Sequence, residues 1–116
     1  QVVMNRVEDN RFPNTICEVV KEGPTRPSWE DPNKEYPIKH RCQFSWYCDG
    51  KDDTPKNEKA WKTAQDVAFL VLYDKIKLDV TEGATHYHAT YVRPSWAKTK
   101  KRTTRIEKHI FYRWEK

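Results

Sequence analysis

The chain has 116 residues, of which 36% are apolar and 34% charged, with a net charge of +5 and five Trp, six Tyr and four Phe. That length suits one domain with one modest core, and so many aromatic residues exclude a disordered chain. No run approaches the ~18 apolar residues of a membrane-spanning helix, the first residues lack the pattern of a signal peptide, and the positive balance admits a polyanionic partner without choosing among nucleic acid, an anionic membrane face and an acidic wall polymer.

The opening "QVVMNRV" places apolar residues at 2, 3, 4 and 7, the pattern of an amphipathic helix. It begins without a cap, so its first turns are expected in a segment upstream of Gln1. A turn-rich link follows, and "TICE" at 15–18 fits a capping box. There the Thr15 hydroxyl accepts from the amide three residues on, and Glu18 reaches back to the Thr15 amide. The short helix so opened carries Ile16, Val19 and Val20 on one side, packs on the first helix and stops at Gly23-Pro24. Residues 24–40 hold Pro24, Pro27, Pro32 and Pro37 among charges and read as an exposed loop or insertion. "RCQFSWYCDG" reads as an aromatic extended stretch closed by a turn at Asp49-Gly50.

The clearest predicted helix starts at Thr54 as cap with Pro55 in the first helical position. Ala60, Trp61, Ala64, Val67, Ala68, Val71 and Leu72 recur at helical spacing through about Lys75. At about 25 cal/mol per Å² of apolar area, burying that stripe is expected to be the largest contribution to the core. Val67→Asp is then expected to unfold the domain and Asp66→Ala to matter little. The last third reads as β: "THYHATYV" at 85–92 and "HIFYRW" at 109–114 alternate. A polar link rich in Lys and Arg joins them, and the two strands can pair antiparallel. The sum is α+β, three helices and a small antiparallel sheet in the C-terminal third, in a single domain without internal repeats.

Three cysteines, Cys17, Cys42 and Cys48, leave at least one unpaired. An odd count does not resemble a secreted disulfide framework and favours a reducing compartment. His86 and His88 share a strand face, and a cysteine could complete a metal site, but no paired C-x₂-C or H-x₃-H spacing is present. Histidine and tyrosine as hydrogen-bonding members of a half-buried sheet is the stronger reading, and no metal or cofactor is called for. Lys98, Lys100, Lys101, Arg102 and Arg105 could grip phosphates with aromatic neighbours stacking bases. No RNA-recognition or helix-turn-helix signature accompanies them, so a solvated connection is the default. Attraction to an anionic wall polymer lies between those two. Trp46, Tyr47, Tyr87, Tyr91 and Trp96 exceed what the core needs; they suit either a glycan groove or a large aromatic cluster. Ser45 lies in "QFSW" and not in a G-x-S-x-G turn, and nothing local activates Cys48 with His86 as a nucleophilic pair.

Several stretches then line up in one order: "VVMNRVEDNRFPNTICEVV", "QFSWYCDGK", "AWKTAQDVA", "DVTEGATHYHATYVRPSWA" and "HIFYR". Together they resemble the cell-wall hydrolase family of the SleB/CwlJ type, over nearly the whole chain except residues 24–40. The resemblance implies a lysozyme-like small domain that cleaves peptidoglycan between N-acetylmuramic acid and N-acetylglucosamine. In such chemistry a glutamic acid protonates the glycosidic oxygen. A lytic transglycosylase uses the muramic 6-hydroxyl as nucleophile and leaves a 1,6-anhydro sugar; a muramidase uses water. The family carries its glutamate in a "GEARGE"-like motif on the helix before "VVMNRV", which places it upstream of Gln1, so no catalytic residue is assigned within the chain. Asp49 and Glu82 are the weaker substitutes.

Substrate-binding residues carried over from the resemblance are Phe44, Ser45, Trp46, Asp49, Tyr87, His88 and Trp96. Ser45 and Tyr87 are expected to hydrogen-bond acetamido groups or the catalytic carboxyl, and Trp46 to stack on a sugar. Glu107 departs from the family's usual glycine and puts the turn before the last strand in question. The implied partner is the peptidoglycan glycan strand, with no nucleic acid, and the implied place of action is the cell wall, periplasm or spore cortex, in a bacterial or phage-encoded protein. The alternative is a non-catalytic wall-binding or virion structural module that keeps the fold.

Overall fold

In the computed structural model, which describes residues 1–73 and 79–115, the helices are α1 (Val2–Glu8), α2 (Ile16–Val20) and α3 (Glu58–Tyr73). The strands are β1 (Thr25–Pro27), β2 (Glu35–Pro37), β3 (His86–Ala89), β4 (Lys101–Ile106) and β5 (His109–Arg113), with 3-10 turns at Ser45–Cys48 and Ser95–Thr99. The chain is α+β, with an antiparallel sheet of order β3-β5-β4 in its last third. Strand β3 pairs with β5 through Tyr87 opposite Phe111 and His88 opposite Ile110, which is the antiparallel pairing the two alternating stretches predict. But β3 ends at Ala89, and the rest of the predicted 85–92 strand turns, the Val92 amide donating to the Ala89 carbonyl at 3.1 Å.

The core lies between α1, α2 and the sheet. Val2, Val19, Phe44, Ala84 and Tyr112 are buried there, Val19 completely. Thr15 caps α2 as expected, its Oγ1 accepting from the Glu18 amide at 3.2 Å. The return half of the box differs: Glu18 Oε1 accepts from the Thr15 hydroxyl at 2.8 Å and not from the Thr15 amide. A carboxylate knot fixes α1 to the segment before the sheet. Asp79 accepts from Asn5 Nδ2 (2.9 Å), the Thr81 amide (2.8 Å) and the Gly83 amide (2.9 Å), while Asn5 also donates to the Ala84 carbonyl at 2.8 Å. Burial pushes the Asp79 carboxyl up, but the bonds from Thr81, Asn5 and Gly83 together outweigh it and leave the group below its ordinary value.

Five further expectations are corrected. Residues 24–40 hold a two-stranded ribbon, with Thr25 opposite Pro37 and Pro27 opposite Glu35. Proline tolerates an isolated ribbon because its missing amide can face solvent. The stretch at 41–50 is not extended: its centre winds into the 3-10 turn, and Cys42 bonds to Cys48 across it. The helix predicted from Thr54 starts at Glu58, because Asn57 supplies the cap by accepting from the Ala60 amide at 3.0 Å. Its predicted end at Lys75 lies outside the described residues.

More consequentially, α3 has no buried residue. Val67 is 53% and Leu70 55% exposed, so the stripe is not the core. Periodicity shows that a helix has an apolar face; it does not show what covers that face. Lastly, the link at 98–105 is largely a strand, β4, which extends the sheet beyond β5. The β4–β5 turn does form with Glu107 in place of glycine, and it holds Glu107 at φ +51°, in the left-handed region.

Candidate active site

Two neighbouring segments build one cleft of about 430 Å³ against the free edge of β3. Phe44 and Ser45 come from the loop that the Cys42–Cys48 disulfide closes. His86, Tyr87 and His88 come from β3, and Trp96 from the 3-10 turn that follows it. Because β3 is an edge strand, residues from both its faces reach the cleft.

The loop is placed by backbone contacts. The Gln43 amide donates to the Glu22 carbonyl at 2.9 Å, and the His40 amide donates to the Cys48 carbonyl at 2.9 Å. At Gly23 a Cβ would stand 2.9 Å from the Cα of Cys42, so only glycine lets the exit from α2 pass this close. Here the cysteine expectation is corrected: Cys42 and Cys48 are paired, and Cys17 is free and exposed. An odd count hides one bridge plus one spare thiol, and such a bridge suits an oxidising compartment better than a reducing one.

Aromatic rings form the walls. Phe44 lies 6.4 Å from Tyr87, which lies 6.0 Å from Phe111. On the other side Trp96 meets His88 at 5.7 Å and Tyr112 at 5.3 Å. His88 is fully engaged: Nδ1 lies 2.7 Å from the Ala89 carbonyl and Nε2 lies 2.9 Å from the Tyr112 hydroxyl. A carbonyl can only accept, so Nδ1 carries a proton, and Nε2 is held by the Tyr112 hydroxyl. His88 therefore offers the cleft a ring face and no free nitrogen.

His86 Nδ1 sits 2.9 Å from Thr85 Oγ1. Burial first, then the positive charges of Arg6, Lys100 and Arg11, hold His86 down to about 4. It is neutral at pH 7, and the N–H that a neutral imidazole keeps is too weak an acid to protonate a leaving group. Among the described residues no group of three or more His, Cys, Asp and Glu is placed to hold a metal ion.

Of the seven predicted binding residues, the structure gathers Phe44, Ser45, Tyr87, His88 and Trp96 around the cleft. Trp46 packs beside them, 6.0 Å from Phe44, but does not line it. Asp49 accepts from the Lys51 amide at 2.9 Å in the turn after the disulfide, away from the cleft. Among the described residues no Asp or Glu lines the cleft.

Sequence reasoning missed Arg6. It is 5% exposed, and its guanidinium lies 4.8 Å from the Phe12 ring centroid and 5.2 Å from that of Phe44. Its Nε donates to the Thr85 carbonyl at 2.6 Å, and it reaches the cleft floor. Burial lowers its pKa, against the opposing charges of Glu22 and Tyr87. The available signal was position: Arg6 stands four residues after Val2, on the face that α1 buries.

The chain matches the Cell Wall Hydrolase family over residues 1–112. Its fold is similar to the catalytic domain of SleB from Bacillus anthracis, described as a germination-specific lytic transglycosylase, at 26% identity and a TM-score of 0.59, covering 97% of this chain and 72% of that one. It is also similar in fold to the catalytic domain of the Bacillus cereus SleB protein, at 24% identity and a TM-score of 0.52, covering 97% of this chain and 69% of that one. No curated protein matches. An aromatic cleft at a sheet edge, a SleB-like fold and a family match over nearly its full length lead to one conclusion: the chain belongs to the cell wall hydrolase family, enzymes that act on peptidoglycan.

Proposed function

We propose that the cleft binds a peptidoglycan glycan strand and that the protein cuts it between N-acetylmuramic acid and N-acetylglucosamine, as a lytic transglycosylase or a muramidase. The carrying observation is the composition of the cleft. Tyr87 and Trp96 offer aromatic faces backed by buried Phe44, and Ser45 and Gln43 offer hydrogen-bonding groups, with no carboxylic acid among them. Aromatic faces suit the apolar faces of sugar rings, and short polar side chains suit acetamido groups.

Glycosidic cleavage needs a proton donor at the leaving oxygen. His86 is neutral and His88 is engaged, so the donor in this reading is a glutamic acid that the family resemblance places ahead of α1. Arg6, on the cleft floor, orients Phe44 and the Thr85 carbonyl around it. Ser45 and Tyr87 bind substrate or steady that acid, Trp96 and His88 form the opposite wall, and Trp46 and Asp49 support the loop that presents Ser45. The place of action in this reading is the wall, the periplasm or a spore cortex.

The test is release of soluble fragments from purified sacculi by Ser45→Ala and Tyr87→Phe variants of the active protein. Each is expected to lose roughly ten-fold in rate, the scale of one hydrogen bond worth about 1.4 kcal/mol. Unchanged rates in both would remove these residues from the site.

A further inference from the structure

Residues 93–113 hold eight Lys or Arg and a single acid, Glu107, while the whole chain carries only +5. Everything outside this segment is therefore net acidic. The basic character of the protein belongs to one part of the fold: the 3-10 turn at Ser95–Thr99 and the β4–β5 hairpin, whose β4 is an outer strand of the sheet.

Lys98, Lys101, Arg102, Arg105 and Lys108 are all exposed there. Arg113 pairs with Glu115 at 2.7 Å, but among the described residues none of those five has an ion-pair partner. Lys101 stands directly across the ladder from Arg113, with Glu115 the carboxylate that both cations feel. An edge strand needs a charge or two to discourage strand pairing. It does not need so many cations with acids almost absent. The strip also starts at the cleft: Trp96 lines the cleft from the same turn that carries Lys98.

We propose that this strip is a docking surface for a polyanionic polymer of the cell wall, one that carries repeated phosphodiester charges. Arg102 and Arg105 stand across the ladder from Tyr112 and Ile110 and so share one face of β4, while Lys101 lies on the other face of the same outer strand. Arginine grips phosphate oxygens in pairs, and phosphodiesters stay charged at any pH the wall meets. Docking there holds the enzyme on the wall with the cleft facing the glycan strands. The inference rests on membership of the wall-hydrolase family and not on the proposed cleavage chemistry.

The experiment measures binding of the intact protein, without turnover, to sacculi bearing phosphate polymer and to the same sacculi stripped of it by acid, at about 50 mM and about 300 mM salt. Lys101→Glu/Arg102→Glu/Arg105→Glu and the milder Lys101→Gln/Arg102→Gln/Arg105→Gln are compared, with near-ultraviolet circular dichroism to confirm folding and fragment release from stripped sacculi as the separate readout of cleavage. The parent is expected to prefer the polymer-bearing sacculi by roughly ten-fold at low salt and to lose that preference at high salt. Both variants are expected to lack the preference while cutting stripped sacculi at the parent rate. Equal binding of the parent to both sacculi, or a preference retained in the glutamine variant, would overturn the proposal. So would displacement from sacculi by duplex DNA at a lower phosphate concentration than soluble wall polymer requires.

Discussion

Arg6 is a buried cation held by two aromatic rings and one carbonyl. Lysine keeps the charge but loses the flat guanidinium that both rings face, so Arg6→Lys is expected to cost about 2 kcal/mol in urea unfolding. His86 gives a pH signature. Its folded pKa, about 4, lies below its ordinary 6.5, so between those values the unfolded chain binds the proton more tightly. Stability from this residue is then full above about pH 6.5 and falls as pH drops toward 4. His86→Gln should flatten the thermal midpoint across that window; an unaltered pH profile would remove His86 as the cause. Glu107 stands at φ +51°, where a side chain costs about 1–2 kcal/mol, so Glu107→Gly should raise the melting temperature.

Two elements behave differently from what their residues suggest. The apolar stripe of α3 is exposed, so Val67→Asp is expected to change folding stability by no more than about 0.5 kcal/mol. Val19, completely buried in α2, should lose about 2 kcal/mol on Val19→Ala. Denaturant midpoints of the two variants decide whether the core lies at α2 or at α3. The Cys42–Cys48 bridge closes the loop that presents Phe44 and Ser45. Replacing both cysteines by serine should cost about 2 kcal/mol.

At the scale of the whole molecule, what was legible in the sequence was what is written locally. The Thr15 cap and the alternation within 85–92 and 109–114 lead directly to α2 and the β3–β5 pair. The family resemblance names Phe44, Ser45, Tyr87, His88 and Trp96 as binding residues, and the fold places them around one cleft. What was not legible depends on contacts between distant segments. The Asp79 knot spans more than seventy residues, the partner of Cys42 needed the 3-10 turn, and the solvent on α3 cannot be read from its spacing. The net positive charge, which reads as a feature of the whole chain, lies in residues 93–113, the turn at Ser95–Thr99 and the β4–β5 hairpin.

The central claim is that this fold cuts glycan strands with a proton donor that the cleft's own described residues do not supply. The most direct test is mass spectrometry of fragments released from purified sacculi by residues 1–116, and by a longer chain that also carries the helix that the family resemblance implies before α1. The account predicts cuts after N-acetylmuramic acid from the longer chain alone, with 1,6-anhydro ends if a transglycosylase and reducing ends if a muramidase. Equal release by residues 1–116 would contradict it and move the search for the acid to Asp49 and Glu82.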